Sequence, residues 1–145
     1  MTVFAEHFIT ELSNQQTFYN ICMRLTLSNL PKTWIFDIDG TLLKHNGYRL
    51  PEGDELLPGV KSFFKKIPPH DKIILLSART SSQRESLELF LLSNGIKYDY
   101  LLLDIPSGER ILVNDKKPSG LLTAYSINKD RDSPLDIDLI IDSSL

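Results

Sequence analysis

The sequence predicts an α/β domain built on a mainly parallel β-sheet. Its 145 residues are the size of one domain and too few for a catalytic domain plus a second full one. Its composition, 41% hydrophobic and 24% charged, is that of an ordinary globular chain, which excludes wholesale disorder and a collagen-like fold. Short continuous apolar runs alternate with helical stripes, the pattern of strands buried on both faces between crossover helices.

Residues 1–30 are read as an N-terminal helical segment preceding a core at 31–145. Phe18, Ile21, Cys22 and Leu25 fall at i, i+3, i+4 and i+7. Phe4, Phe8 and Leu12 continue a similar stripe upstream. Ser13 or Asn14 suits the cap of a second helix, so one helix and two are both open, and Pro31 ends the segment. Residues 33–37 read as the first strand through Trp34, Ile35 and Phe36, broken by Gly40. Residues 43–57, with Gly47, Pro51 and Gly53, read as a loop. Val60, Phe63, Phe64 and Ile67 make a helical stripe between Pro58 and Pro68-Pro69. Residues 72–77 read as the second strand, and 82–94 as a helix stopped by Gly95. Further strands are expected at 98–103, 110–113 and 124–127, while 139–141 is too short to assign. The chain has no internal repeat and no low-complexity stretch.

Several function classes fall away at this level. No run reaches the roughly 18 apolar residues of a membrane span. Residues 1–10 lack a basic region and contain Glu6, so no signal peptide is expected. Cys22 is the single cysteine, which fits a reducing cytoplasm and reads as a packing residue. The net charge is −3, and the acidic excess lies in residues 130–145: Asp130, Asp132, Asp136, Asp138 and Asp142 against Arg131. No basic footprint for nucleic acid remains in the rest.

The feature that points to chemistry is Asp37-Ile38-Asp39-Gly40-Thr41, directly after the first strand. Ligands of open α/β sheets bind outside the carboxyl ends of the strands. Two carboxylates at i and i+2 leave that edge together, one suited to attack phosphorus and the other to proton transfer. Gly40 lets backbone approach a phosphate, and a hard divalent cation with oxygen ligands, Mg²⁺, would screen the clustered negative charge. Asp136-Ile137-Asp138 repeats the tripeptide but precedes an apolar run, with no Gly-Thr after it, and is read as surface.

The segment Trp34-Ile-Phe-Asp-Ile-Asp-Gly-Thr-Leu-Leu43 resembles motif I of the haloacid dehalogenase superfamily of phosphohydrolases and phosphotransferases. The resemblance runs from about residue 33 to about residue 118. It implies a three-layer Rossmann-like core, with Asp37 as the nucleophile that forms an aspartyl-phosphate and Asp39 as general acid/base. Gly40 and Thr41 would line the phosphate. Ser77, after Ile73-Ile-Leu-Leu76, stands where motif II places a hydroxyl. Its oxygen and the amide of Ala78 would bind the phosphoryl group, with Arg79 as a further phosphate contact. Asn114-Asp115 fits motif IV, so Asp115 joins Asp37 and Asp39 as the implied metal ligands, Asp39 through its backbone carbonyl. The Lys or Arg of motif III has no clear counterpart. Lys97 and Arg110 start strands at the wrong edge, whereas Lys116 and Lys117 follow Asp115, and Lys117 is taken as the phosphate-facing base.

Two further departures shape the expectation. Six residues separate Leu103 from Arg110, fewer than the roughly 10–12 of a parallel crossover, so the third strand is expected to be antiparallel or an edge element. Neither insertion point leaves room for a cap domain, so the domain reads as capless, with a weak likeness to small members linked to polysaccharide biosynthesis. His45, Asn46, Tyr48 and Arg49 lie in the loop after motif I and are read as a surface loop within reach of a leaving group. Residues 1–30 would pack on the sheet or form a homo-oligomer interface. The resulting expectation is a cytoplasmic, Mg²⁺-dependent phosphatase of a small phosphorylated metabolite, such as a sugar phosphate. The alternatives are a binding or regulatory module with little turnover, and phosphoryl transfer to a second hydroxyl.

Overall fold

The computed structural model describes residues 23–145. Its elements are β1 (Met23–Leu27), β2 (Thr33–Asp37), α1 (Val60–Lys66), β3 (Lys72–Leu76), α2 (Arg84–Ser93), β4 (Tyr100–Leu102) and β5 (Ile137–Ile141). This is an α/β fold with two small parallel sheets, one ordered β2-β3-β4 and the other β1-β5. Of the helix expected over residues 3–30, residues 3–22, Cys22 among them, lie outside the described residues.

The central sheet follows from its apolar runs. Phe36 pairs with Leu75, and Leu75 with Leu101. These residues share one core with Val60 and Phe63 of α1 and Leu87 and Leu91 of α2. Each βαβ unit steps one strand in the same direction, and right-handed crossovers then put both helices on one face. The opposite face stays open among the described residues. Ile35 there is 50% exposed, beside Tyr100 and Leu102. The expected burial of β2 on both faces is therefore corrected: Trp34 and Phe36 face the core and Ile35 does not.

Trp34 is locked by chemistry as well as packing. Its ring meets Phe63 edge-on, with centroids 5.6 Å apart, and its Nε1–H donates to Asp71 at 2.9 Å. The second carboxylate oxygen of the buried Asp71 accepts from the Lys32 amide, which fastens the entry of β2.

Three sequence expectations change. Residues 23–27 are a strand, not the end of a helix, because Met-Arg-Leu-Thr-Leu alternates with period two and pairs in parallel with β5. The Leu25 position matched a helical stripe by coincidence of spacing. Residues 110–113 and 124–127 form no strand, and Ile111 and Val113 are 87% and 89% exposed. The chain leaves β4 at Asp104, whose φ of 56° starts a turn, and the five residues before 110 are too few for a crossover that would bring 110–113 back into the sheet. The third strand is parallel, not antiparallel, and it sits at the sheet edge, the other arrangement expected for it.

Residues 129–135 return to the turn after β2. The Asp132 amide donates to the Gly40 carbonyl at 2.9 Å, and the Leu135 amide to the Pro58 carbonyl at 2.9 Å. Gly59 accommodates that approach, since a Cβ there would stand 2.4 Å from the Leu135 carbonyl oxygen. Leu135 and Ile137 then enter the common core. No helix among the described residues is long and apolar enough to cross a membrane.

Candidate functional site

The turn after β2 is shaped by what it buries. Ile38, Leu42 and Leu43 are fully buried, and the amides of Leu42 and Leu43 donate to the Ile38 carbonyl at 2.9 and 3.0 Å. The Ile38 amide donates to Leu76, extending β2 beside the end of β3. Asp37 and Asp39 flank the inward Ile38, so alternation sends both toward the carboxyl edge of the sheet. Gly40 takes φ 84°, a left-handed conformation that a side chain resists, and a Cβ would come within 3.0 Å of Arg131 Cγ.

The two carboxylates have different surroundings. Asp37 is open, with its side chain 42% exposed. Thr41 Oγ1–H donates to it at 3.0 Å, and Arg110 Nη2 stands 3.7 Å away. Burial nevertheless pushes its carboxyl above the ordinary value, the Thr41 bond and the Arg110 charge pull it down, and Asp39 adds a smaller upward push. Lys129 is the second nearby cation. Its ammonium donates to the Gly40 carbonyl at 3.2 Å and interacts electrostatically with Asp37. Desolvation lowers the Lys129 pKa, opposed by Asp132, Asp130 and Asp37.

Asp39 is enclosed. Arg79 Nε donates to both of its oxygens, at 3.2 and 3.0 Å, and Nη2 donates at 2.7 Å. Ser77 Oγ–H donates to Asp39 at 3.0 Å while accepting the Arg79 amide. The Arg79 side chain is 1% exposed and bonds Asp54 as well. Desolvation disfavours its charge, but the bonds from Asp54 and Asp39 outweigh this and hold its pKa above the ordinary guanidinium value.

The sequence expectations divide accordingly. Asp37, Asp39, Gly40, Thr41, Ser77 and Arg79 come together, with Ala78 exposed beside Ser77. Arg79 is engaged with carboxylates, where a phosphate contact was expected. Lys117 and Asp115 lie on the exposed 105–128 segment and make no contact with Asp37 or Asp39 among the described residues. Asn114 bonds Thr123 there, and the Lys117 amide bonds Leu121. Arg110, set aside on sequence grounds as starting at the wrong edge, is the base that reaches Asp37. Lys129 and Asp54 carry no local signal in the sequence, since only the fold brings them in.

The Mg²⁺ ligand set implied by the resemblance does not fit this arrangement. Asp115 is elsewhere, and no cluster of three or more His, Cys, Asp or Glu suited to a metal occurs among the described residues. Among the described residues, the cation within 4 Å of Asp37 is Arg110, and Lys129 sits on the Gly40 carbonyl of the same turn. A shallow groove between α2 and Tyr98, lined by Leu89, Leu92 and Ile96, lies apart from these groups. The chain matches no protein-family model, and no curated protein or solved structure shows significant similarity to it.

Proposed function

We propose that the chain is a phosphomonoester hydrolase that works through an aspartyl-phosphate on Asp37, within a capless Rossmann-like domain. One observation carries the reading: an accessible carboxylate at the C-terminal end of a parallel strand, with Arg110 3.7 Å from it and Lys129 on the Gly40 carbonyl of the turn that follows. The cations would offset the repulsion between a carboxylate and an approaching phosphate dianion. Asp37 attacks phosphorus, the bond to the leaving oxygen breaks, and that oxygen takes a proton. Water then attacks the aspartyl-phosphate, the P–O bond to Asp37 breaks, and inorganic phosphate leaves. Asp39, two residues on, is the group placed to give the first proton and take the second. The substrate proposed is a small phosphorylated metabolite, such as a sugar phosphate.

Asp39 also supports a second reading, a phosphate-binding module with little turnover. With four hydrogen bonds on its two oxygens, it transfers a proton only when Arg79 loosens.

The test is phosphate release by the purified protein from a panel of phosphomonoesters, with and without Mg²⁺, beside Asp37→Asn. Release that the substitution abolishes supports hydrolysis. Release that survives it sinks the aspartyl-phosphate. Phosphate binding without release favours the second reading.

A further inference from the structure

Arg79 is a buried cation held by three residues, Asp39, Asp54 and Tyr48. Behind Asp39, its Nη1 and Nη2 donate to the two oxygens of Asp54 at 2.8 and 2.6 Å. The Tyr48 ring covers the guanidinium, with its centroid 4.2 Å from Cζ. A guanidinium presents its N–H groups in a rigid planar fork, so two carboxylates on different edges set both its plane and its direction. Asp54 has no part in the chemistry proposed above.

Asp54 belongs to residues 44–57, which fold back on the turn after β2. The Lys44 amide donates to the Glu55 carbonyl, and the Leu57 amide to the Leu42 carbonyl, each at 2.9 Å. Gly47 packs against the far strand of this flap: a Cβ there would stand 3.1 Å from the Gly53 carbonyl oxygen. The flap has little slack, and Asp54 is its charged grip on the β3 side.

We propose that Asp54 is a positioning residue: by holding the far edge of Arg79 it aims Nε and Nη2 at Asp39, and it latches the 44–57 flap beside Asp37. The positioning half rests on the reading of Asp39 as the proton-transfer group. Without the Asp54 carboxylate, Arg79 turns further onto Asp39 or swings away, and either movement displaces Asp39. The phosphate-facing groups Asp37, Arg110 and Lys129 do not touch Asp54, so substrate binding is spared.

In the full-length protein, Asp54→Asn is expected to lower kcat for p-nitrophenyl phosphate about 100-fold with KM within about threefold. Asp54→Glu, which keeps the charge, recovers part of the loss. Two readouts need no turnover: amide exchange at Lys44 and Leu57, and the Arg79 Nε–H resonance. In Asp54→Asn the two amides are expected to exchange about tenfold faster, and the resonance to shift. Unchanged exchange and an unchanged resonance overturn the latch whether or not the protein hydrolyses anything. Undiminished kcat alongside a shifted resonance overturns the positioning role. If the parent protein releases no phosphate yet its flap loosens in Asp54→Asn, hydrolysis is lost and the latch stands.

Discussion

Asp-Ile-Asp occurs twice in this chain, at 37–39 and at 136–138, and the two copies occupy opposite ends of strands. The first leaves β2 into a tight turn, beside the end of β3, where Ser77 and Arg79 converge on it. The second leads into β5. Its Asp138 pairs across the register with Arg24 at 3.0 Å, in the open, with side chains 44% and 68% exposed. The same tripeptide thus binds a buried guanidinium through Asp39 in one place and forms a surface ion pair through Asp138 in the other. What separates them is sheet polarity: the carboxyl edge collects the turns that follow parallel strands, with their side chains and backbone groups.

The widest gap between the copies is expected in turnover. Asp37→Asn should lower phosphate release at least about a thousandfold, and Asp138→Asn should leave it unchanged. Equal losses in both would break the comparison.

Stability comes next. Arg79→Met leaves Asp39 and Asp54 facing each other without their cation, for a loss of about 3–5 kcal/mol in denaturant unfolding. Arg24→Met removes an exposed partner and costs at most about 1 kcal/mol.

The pH dependence is smaller and sharper. Asp37 has its pKa raised in the fold by burial, so the folded chain binds that proton more tightly than the unfolded chain. The associated stability is fully present below the unfolded value near 3.8 and is lost as pH rises through the higher folded value. Asp37→Asn is therefore expected to melt above the parent at neutral pH. The gap should close as the pH falls to about 3. A gap that widens on acidification would show the sign to be wrong.

What the sequence conveys about this fold is mostly local. The runs Trp34-Ile-Phe and Ile73-Ile-Leu-Leu announce β2 and β3, and with them the places of Asp37 and Ser77. The stripe through Val60 announces α1, and Gly95 marks the end of α2. Leu25 misleads because one apolar position satisfies both a helical and a strand period, and only pairing with β5 decides between them. Residues 110–113 mislead in the other direction. Their composition suits a strand, but the short link after β4 gives them no edge to join. The site shows the same division. Asp37, Asp39 and Ser77 follow from position after a strand. Arg79 is close to Ser77 in sequence, yet its engagement by Asp39, 40 residues away, and Asp54, 25 residues away, is tertiary. Lys129 is 89 residues from the carbonyl it bonds.

The β1–β5 ladder has a kinetic consequence. Arg24 and Asp138 are separated by 114 residues, so closing this pair requires one of the longest loops available to the chain. The βαβ units from β2 to β4 close far shorter loops and gain their packing first. Residues 129–135 lie just before β5, and their hold on Gly40 is expected to tighten only as that ladder zips. In a refolding experiment, Trp34 fluorescence, which reports the β2–α1 core, should then recover before phosphate release does. The last step in building the fold would be the one that brings Lys129 to Asp37.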